Sequence, residues 1–110
     1  MSWEVVYLPE ALNDLRSLDG SQRLLVKKAI EKLKMNPLPE TEGGYGKWLG
    51  NKSGRNLSGF LKIKLRGPGL RIVYQLLRIE GYVLIVVIGA REDSEVYDLA
   101  YNRIKQHDLK

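Results

Sequence analysis

Residues 61–75 read LKIKLRGPGLRIVYQ, a β-type alternation on each side of a Gly-Pro-Gly turn. Side chains alternate between the two faces of a strand, so Leu61, Ile63 and Leu65 point one way and Lys62, Lys64 and Arg66 the other. Cations two residues apart on one face stand about 6.6 Å from each other. Beyond Gly67-Pro68-Gly69, Leu70, Ile72, Tyr74 and Leu76 share a face, with Arg71, Val73 and Gln75 opposite. In a simple hairpin register Arg71 joins the lysines. The stretch therefore predicts an antiparallel hairpin, apolar beneath and a ladder of positive charge above. Something extended and negative would fit that ladder.

Working outward, Glu80-Gly81 is a second turn, and YVLIVVIG at 82–89 is apolar on both faces, as in a strand covered from both sides. Strands at about 59–66, 70–79 and 82–89 form an antiparallel meander. Upstream, SWEVVYL at 2–8 reads as a first strand, and Pro9 suits the first turn of a helix. Leu8, Ala11, Leu12, Leu15 and Leu18 form one helical stripe, which Asp19-Gly20 breaks. Ser21 is the expected cap of a second helix that reaches about Met35 and ends at Asn36-Pro37. Residues 40–58, with five glycines, read as a long mobile loop pinned by Trp48 and Leu49. A last helix is expected from about Ser94 to Lys105, with Glu92, Asp93 and Glu95 favourably placed near its N-terminus. The order predicts one α+β domain over residues 1–110, an antiparallel sheet with helices against one face.

The chain has 110 residues and a net charge of +5. Its 44% hydrophobic content suits an ordinary globular protein. The distribution of charge is more telling than its sum. Between Gly43 and Ile79 lie Lys47, Lys52, Arg55, Lys62, Lys64, Arg66, Arg71 and Arg78, without one acid. Such asymmetry attracts polyanions. The longest apolar run, at 82–90, is too short to span a bilayer. No secretory signal is visible, so a cytoplasmic location is expected, with no membrane partner. Without cysteine there is neither a disulfide nor a thiol nucleophile, and no His/Cys cluster suggests a metal or other cofactor.

A phosphodiester laid across Lys62, Lys64, Arg66 and Arg71 would gain charge-assisted hydrogen bonds. Cleaving RNA needs more: a base for the 2′-hydroxyl, stabilisation of charge at phosphorus, and an acid for the 5′-oxygen. The sole histidine, His107, lies near the C-terminus and reads as a surface residue. Tyrosine and lysine are then the remaining acid–base groups. Nearby positive charge favours phenolate over phenol and neutral amine over ammonium, so a basic face can tune its own members. Glu92, Asp93 and Glu95 read as helix-end charges, while Tyr74, Trp3 and Trp48 read as packing residues. For Lys62 and Lys64 alone, the plainer reading is a solvated strand face that blocks edge pairing.

LKIKLRGPGLRIVYQ followed by IGAREDSEVYDLAYNRI resembles the RelE branch of the RelE/ParE toxins of bacterial type II toxin–antitoxin modules. The resemblance rests on Lys-Ile-Lys-Leu-Arg, Arg-Ile-Val-Tyr, Gly-x-Arg and Ser-Glu-Val-Tyr in order and spacing, and extends to EALNDLRSL. It implies a ribosome-dependent endoribonuclease that cuts mRNA in the A site through 2′-hydroxyl attack. Carried over by position, Lys62, Lys64, Arg71, Arg91 and Tyr97 are its catalytic residues. Tyr97 or Lys62 would take the 2′-proton, Arg71 and Arg91 would hold the phosphorane, and Lys64 would protonate the leaving oxygen. Arg66, with Lys47, Lys52 and Arg55 of the 40–58 segment, would bind RNA. The implied partners are a cognate antitoxin, acidic where it binds, the ribosome with its small-subunit RNA, and mRNA. DNA would be contacted only through the antitoxin complex.

Two features depart from the family pattern. The 40–58 segment is longer and richer in glycine than in compact members, and Ala90 stands where some relatives carry a cation. The competing readings are a ParE-like inhibitor of DNA gyrase, whose chains generally lack the Lys-x-Lys, Arg and Tyr set, and a catalytically silent RNA-binding domain of the same fold.

Overall fold

A computed structural model describes residues 3–52, 54–65, 69–90 and 92–109. Among these residues are β1 (Glu4–Tyr7), α1 (Pro9–Ser17), α2 (Gly20–Met35), a short 3-10 turn (Glu40–Glu42), β2 (Lys47–Lys52), β3 (Arg55–Lys64), β4 (Arg71–Leu77), β5 (Tyr82–Gly89) and α3 (Asp93–Gln106). The five strands form one sheet in the order β1-β5-β4-β3-β2. The fold is α+β and the sheet mostly antiparallel. β1 adds a parallel pairing with β5, from Glu4 opposite Tyr82 to Tyr7 opposite Ile85.

Local chemistry explains where the elements begin. Pro9 opens α1, where its missing N–H costs nothing. Asp19, rather than Ser21, caps α2. Its carboxylate accepts from the Gln22 N–H at 2.8 Å, and its own N–H donates to Gln22 Oε1 at 3.3 Å. That reciprocal capping box outcompetes a serine placed two residues later. The Ser21 hydroxyl donates instead to the Asp19 carboxylate.

The expected loop at 40–58 is largely a hairpin, and this corrects the reading of its glycines. β2 pairs with β3, which begins at Arg55, four residues earlier than expected. Asn51 accepts from the Gly54 N–H at 3.0 Å across the turn. Gly50 (φ +62°) and Gly59 (φ +88°) take the left-handed conformations that a register slip in this pair requires. Gly46 has another purpose. A Cβ there would lie 2.1 Å from the Tyr74 hydroxyl and 2.8 Å from Leu61. That hydroxyl donates to Pro37 O at 2.9 Å, so the segment after α2 is closed onto the sheet by a buried tyrosine.

Helices lie on both faces of the sheet, not on one. Leu61 and Tyr74 meet the segment that follows α2, whereas Lys62 and Arg71 meet α3. Adjacent positions on β3 point to opposite faces, so α2 and α3 flank the sheet. Accordingly, Val83 to Ile88 of β5 are all buried, as their continuous apolar character predicts. Where β1 stops, α1 takes over the free edge of β5. Asp14 accepts from the Ile88 N–H at 3.0 Å, and Arg103 of α3 donates to Val86 O at 2.9 Å and to Asp14 at 2.7 Å. The exposed strand edge is thus satisfied by side chains.

Candidate active site on the α3 face

β3 and β4 pair with Lys62 opposite Val73 and Lys64 opposite Arg71. Cross-strand partners share a face, so Lys62, Lys64 and Arg71 stand together as the hairpin reading expected. β2 extends the row. Lys47 is opposite Lys62, and Lys52 is opposite Arg55. Arg55 pairs with Asp98 of α3 at 2.5 Å, which places the far end of β3 on the same helix. Lys47 and Lys64 are exposed, whereas Lys52, Arg55, Lys62 and Arg71 are partly buried. Arg66 and Arg91 lie outside the described residues.

Tyr97 lies on the inner side of α3 and is 7% exposed. Its hydroxyl oxygen accepts a 2.7 Å hydrogen bond from the Lys62 ammonium, whose nitrogen also lies 5.3 Å from the ring centroid. The residues are 35 positions apart, so only the fold brings them together.

The residue that sequence reasoning missed is Asp93. It stands in the first turn of α3, as the helix-end reading expects, and its carboxylate also accepts from Arg71 Nε and lies 3.6 Å from Lys62 Nζ. Burial works to raise its pKa. The Arg71 hydrogen bond and the charges of Lys62, Arg71 and Lys64 outweigh that and hold it below the usual aspartate value. A signal for its position was available. Asp93 precedes Tyr97 by four residues, so a helix that turns Tyr97 to the cations turns Asp93 there as well.

This cluster brings together, within one strand ladder and one helical turn, several cations and a hydrogen-bonded lysine–tyrosine pair, groups whose chemistry suits an anion and a proton transfer. A groove of about 740 Å³ runs from β3 to α2, and Lys62 and Lys64 are among the residues that line it. Leu25, Ala29, Leu33 and Ile63 form its apolar part, and Lys28, Lys32 and Lys47 bring charge to it.

The chain is 33% identical to the mRNA interferase toxin RelE of Escherichia coli K12 over 104 residues, 94% of this chain and 99% of that one. The chain belongs to the RelE toxin family. An mRNA interferase RelE of Shigella flexneri matches with the same identity and coverage. Among solved structures, a mutant of the E. coli RelE toxin in the free state superposes with a TM-score of 0.71 at 30% identity, covering 94% of this chain and 99% of that one. The RelE family fold is also seen in the intact E. coli RelBE toxin–antitoxin complex, with a TM-score of 0.64, 25% identity, and 83% and 99% coverage. No family model matches the chain. Among the described residues, no helix is long and apolar enough to cross a membrane.

Proposed function

We propose that this RelE family member is the toxin of a toxin–antitoxin module and a ribosome-dependent endoribonuclease that cuts mRNA in the A site. The observation that carries this reading is the Lys62–Tyr97 hydrogen bond at 2.7 Å, set beside Arg71 and Lys64 on one face. The relatives' name, mRNA interferase, supports the same substrate.

The 2′-oxygen attacks the neighbouring phosphorus while the bond from phosphorus to the 5′-oxygen breaks. The products are a 2′,3′-cyclic phosphate and a 5′-hydroxyl. Lys62 and Tyr97 are the proton-handling pair at the 2′-oxygen, and Lys62 is the more accessible of the two. Arg71, a fixed fork of donors, faces the charge that grows on the phosphorane. Arg91, next to the α3 N-terminus in sequence, is assigned the same task by its match to Gly-x-Arg. Lys64, exposed and opposite Arg71, donates to the departing 5′-oxygen. Lys47, Lys52 and Arg55 continue the positive track for the rest of the RNA, and Arg66 is assigned to RNA binding by its place in Lys-Ile-Lys-Leu-Arg.

The groove between α2 and β3 suits an antitoxin segment that is apolar on one side and acidic on the other. Relatives have been solved with an antitoxin bound.

Cell-free translation with primer extension tests the activity. Wild type should cut translated codons only when ribosomes are present, and Tyr97→Phe and Lys62→Met should each slow cutting by about 10²–10⁴-fold. Absence of cleavage by folded wild-type protein on translating ribosomes would refute the nuclease reading.

A further inference from the structure

Asp93 is an acid inside a site built for an anion. Its carboxylate accepts from Arg71 Nε and sits 3.6 Å from Lys62 Nζ. Both cations are well covered, with side chains 12% and 18% exposed, whereas that of Asp93 is 44% exposed. The carboxylate thus approaches the cations from the solvent side, the direction from which a phosphodiester would come. Arg71 also donates to Gly69 O at 2.7 Å through Nη1, which fixes the guanidinium from behind and leaves Nε committed to Asp93.

A planar carboxylate and two phosphate oxygens make the same demand on a guanidinium edge and an ammonium. We infer that Asp93 is an internal stand-in for the substrate phosphate: it holds Arg71 and Lys62 in their working positions and must be displaced from them when RNA binds. This rests on the reading of those two residues as phosphate-binding. Asp93 is on that account a positioning and gating residue, not a catalytic one. It keeps the affinity for loose RNA low, and only an RNA held in place by further contacts competes well. Its seat in the first turn of α3 suits exchange, because the partly exposed carboxylate can turn to solvent without unwinding the helix.

The test is binding of a single-stranded oligonucleotide of about ten residues, a length within the usual reach of such surfaces. Its riboses are 2′-O-methylated so that attack through the 2′-oxygen is impossible. Asp93→Asn should bind about tenfold tighter than wild type, as expected when a charge-assisted competitor is removed. The slope of log affinity against log salt should steepen by about 0.7, the value for one more phosphate contact on a single strand. Glu92→Gln removes the same charge one residue away and should change affinity by less than about twofold, as for an exposed charge. Asp93→Ser, also well suited to a helix start, should reproduce the tightening if Asn disturbs folding.

If neither Asp93 variant binds more tightly than Glu92→Gln, weak or absent binding by all included, the inference is overturned. The nuclease reading is judged separately, by wild-type cleavage on ribosomes. An active nuclease whose Asp93 variants bind like wild type loses only the competitor, and a protein that cuts nothing can still show the tightening.

Discussion

The two ends of α3 are held by the same kind of contact and serve opposite ends. At the C-terminal end, Arg103 meets Asp14 one to one, with side chains 12% and 18% exposed, and both also satisfy backbone groups of β5. His107 meets Glu10 just beyond, at 2.8 Å. Arg103 and Asp14 match in charge, and the bonds that surround them are backbone bonds. At the N-terminal end, Asp93 faces Lys62, Arg71 and Lys64 together. Among the described residues, this one acid faces three cations. The lesson is that ion pairing marks architecture when the count balances and points to a candidate site when it does not.

That contrast can be broken from either side. The largest effect should come from Arg71→Ala, which lowers cleavage by about 10²–10³-fold through loss of charge stabilisation, while the urea midpoint moves little. Single-turnover cleavage beside a denaturation curve checks it.

Arg103→Met should do the reverse. It strands a mostly buried Asp14 and should cost about 3 kcal/mol of stability, with activity per folded molecule within about twofold. A large activity loss without a stability loss would erase the distinction between the two ends.

A pH effect ranks next. The hydrogen bond from His107, with a backbone bond, holds the Glu10 pKa below its ordinary value against the opposing effect of burial. A depressed folded-state pKa gives stability that is complete above the unfolded carboxylate value and is lost as pH falls through the folded one. Asp93 has the same sign. Stability should therefore decline below about pH 4.5, and Glu10→Gln should flatten that decline in pH-dependent thermal melts.

The smallest effect belongs to Arg78 and Glu42, which pair at 2.5 Å on an open surface. Arg78→Ala should leave the melting midpoint and cleavage unmoved, as exposed pairs generally do.

The hairpin at 61–75 was legible because its alternation, its turn and its charges all point to one register, and Lys64 does stand opposite Arg71. β5 was legible for a related reason, since an unbroken apolar run admits no exposed face. β2 was not. Gly46 and Gly50 interrupt the alternation, and their purposes, room for the Tyr74 hydroxyl and a left-handed turn at a register slip, exist only once β3 and β4 are in place.

The meeting of Lys62, Lys64, Arg71 and Tyr97 on one face was legible from the sequence. The contact of Asp93 with that face was not legible, because counting charge along the chain assigns Asp93 to a different segment from the cations it meets. Helical spacing from Tyr97 was the available correction. The same limit hid Asp98 behind Arg55.

The pairing of β1 with β5 has a consequence for how the protein is made. Glu4 has no strand partner until Tyr82 has been synthesised, and Tyr97, which completes the lysine pair, follows later still. Contacts so distant in sequence are the slowest to close, and chains are made at about 5–20 residues per second. For seconds, then, the growing chain carries its lysine ladder without the helix that covers it. The Lys62–Tyr97 pair is assembled only once α3 has been added, so a chain interrupted before α3 lacks the pair on which the proposed cleavage would depend.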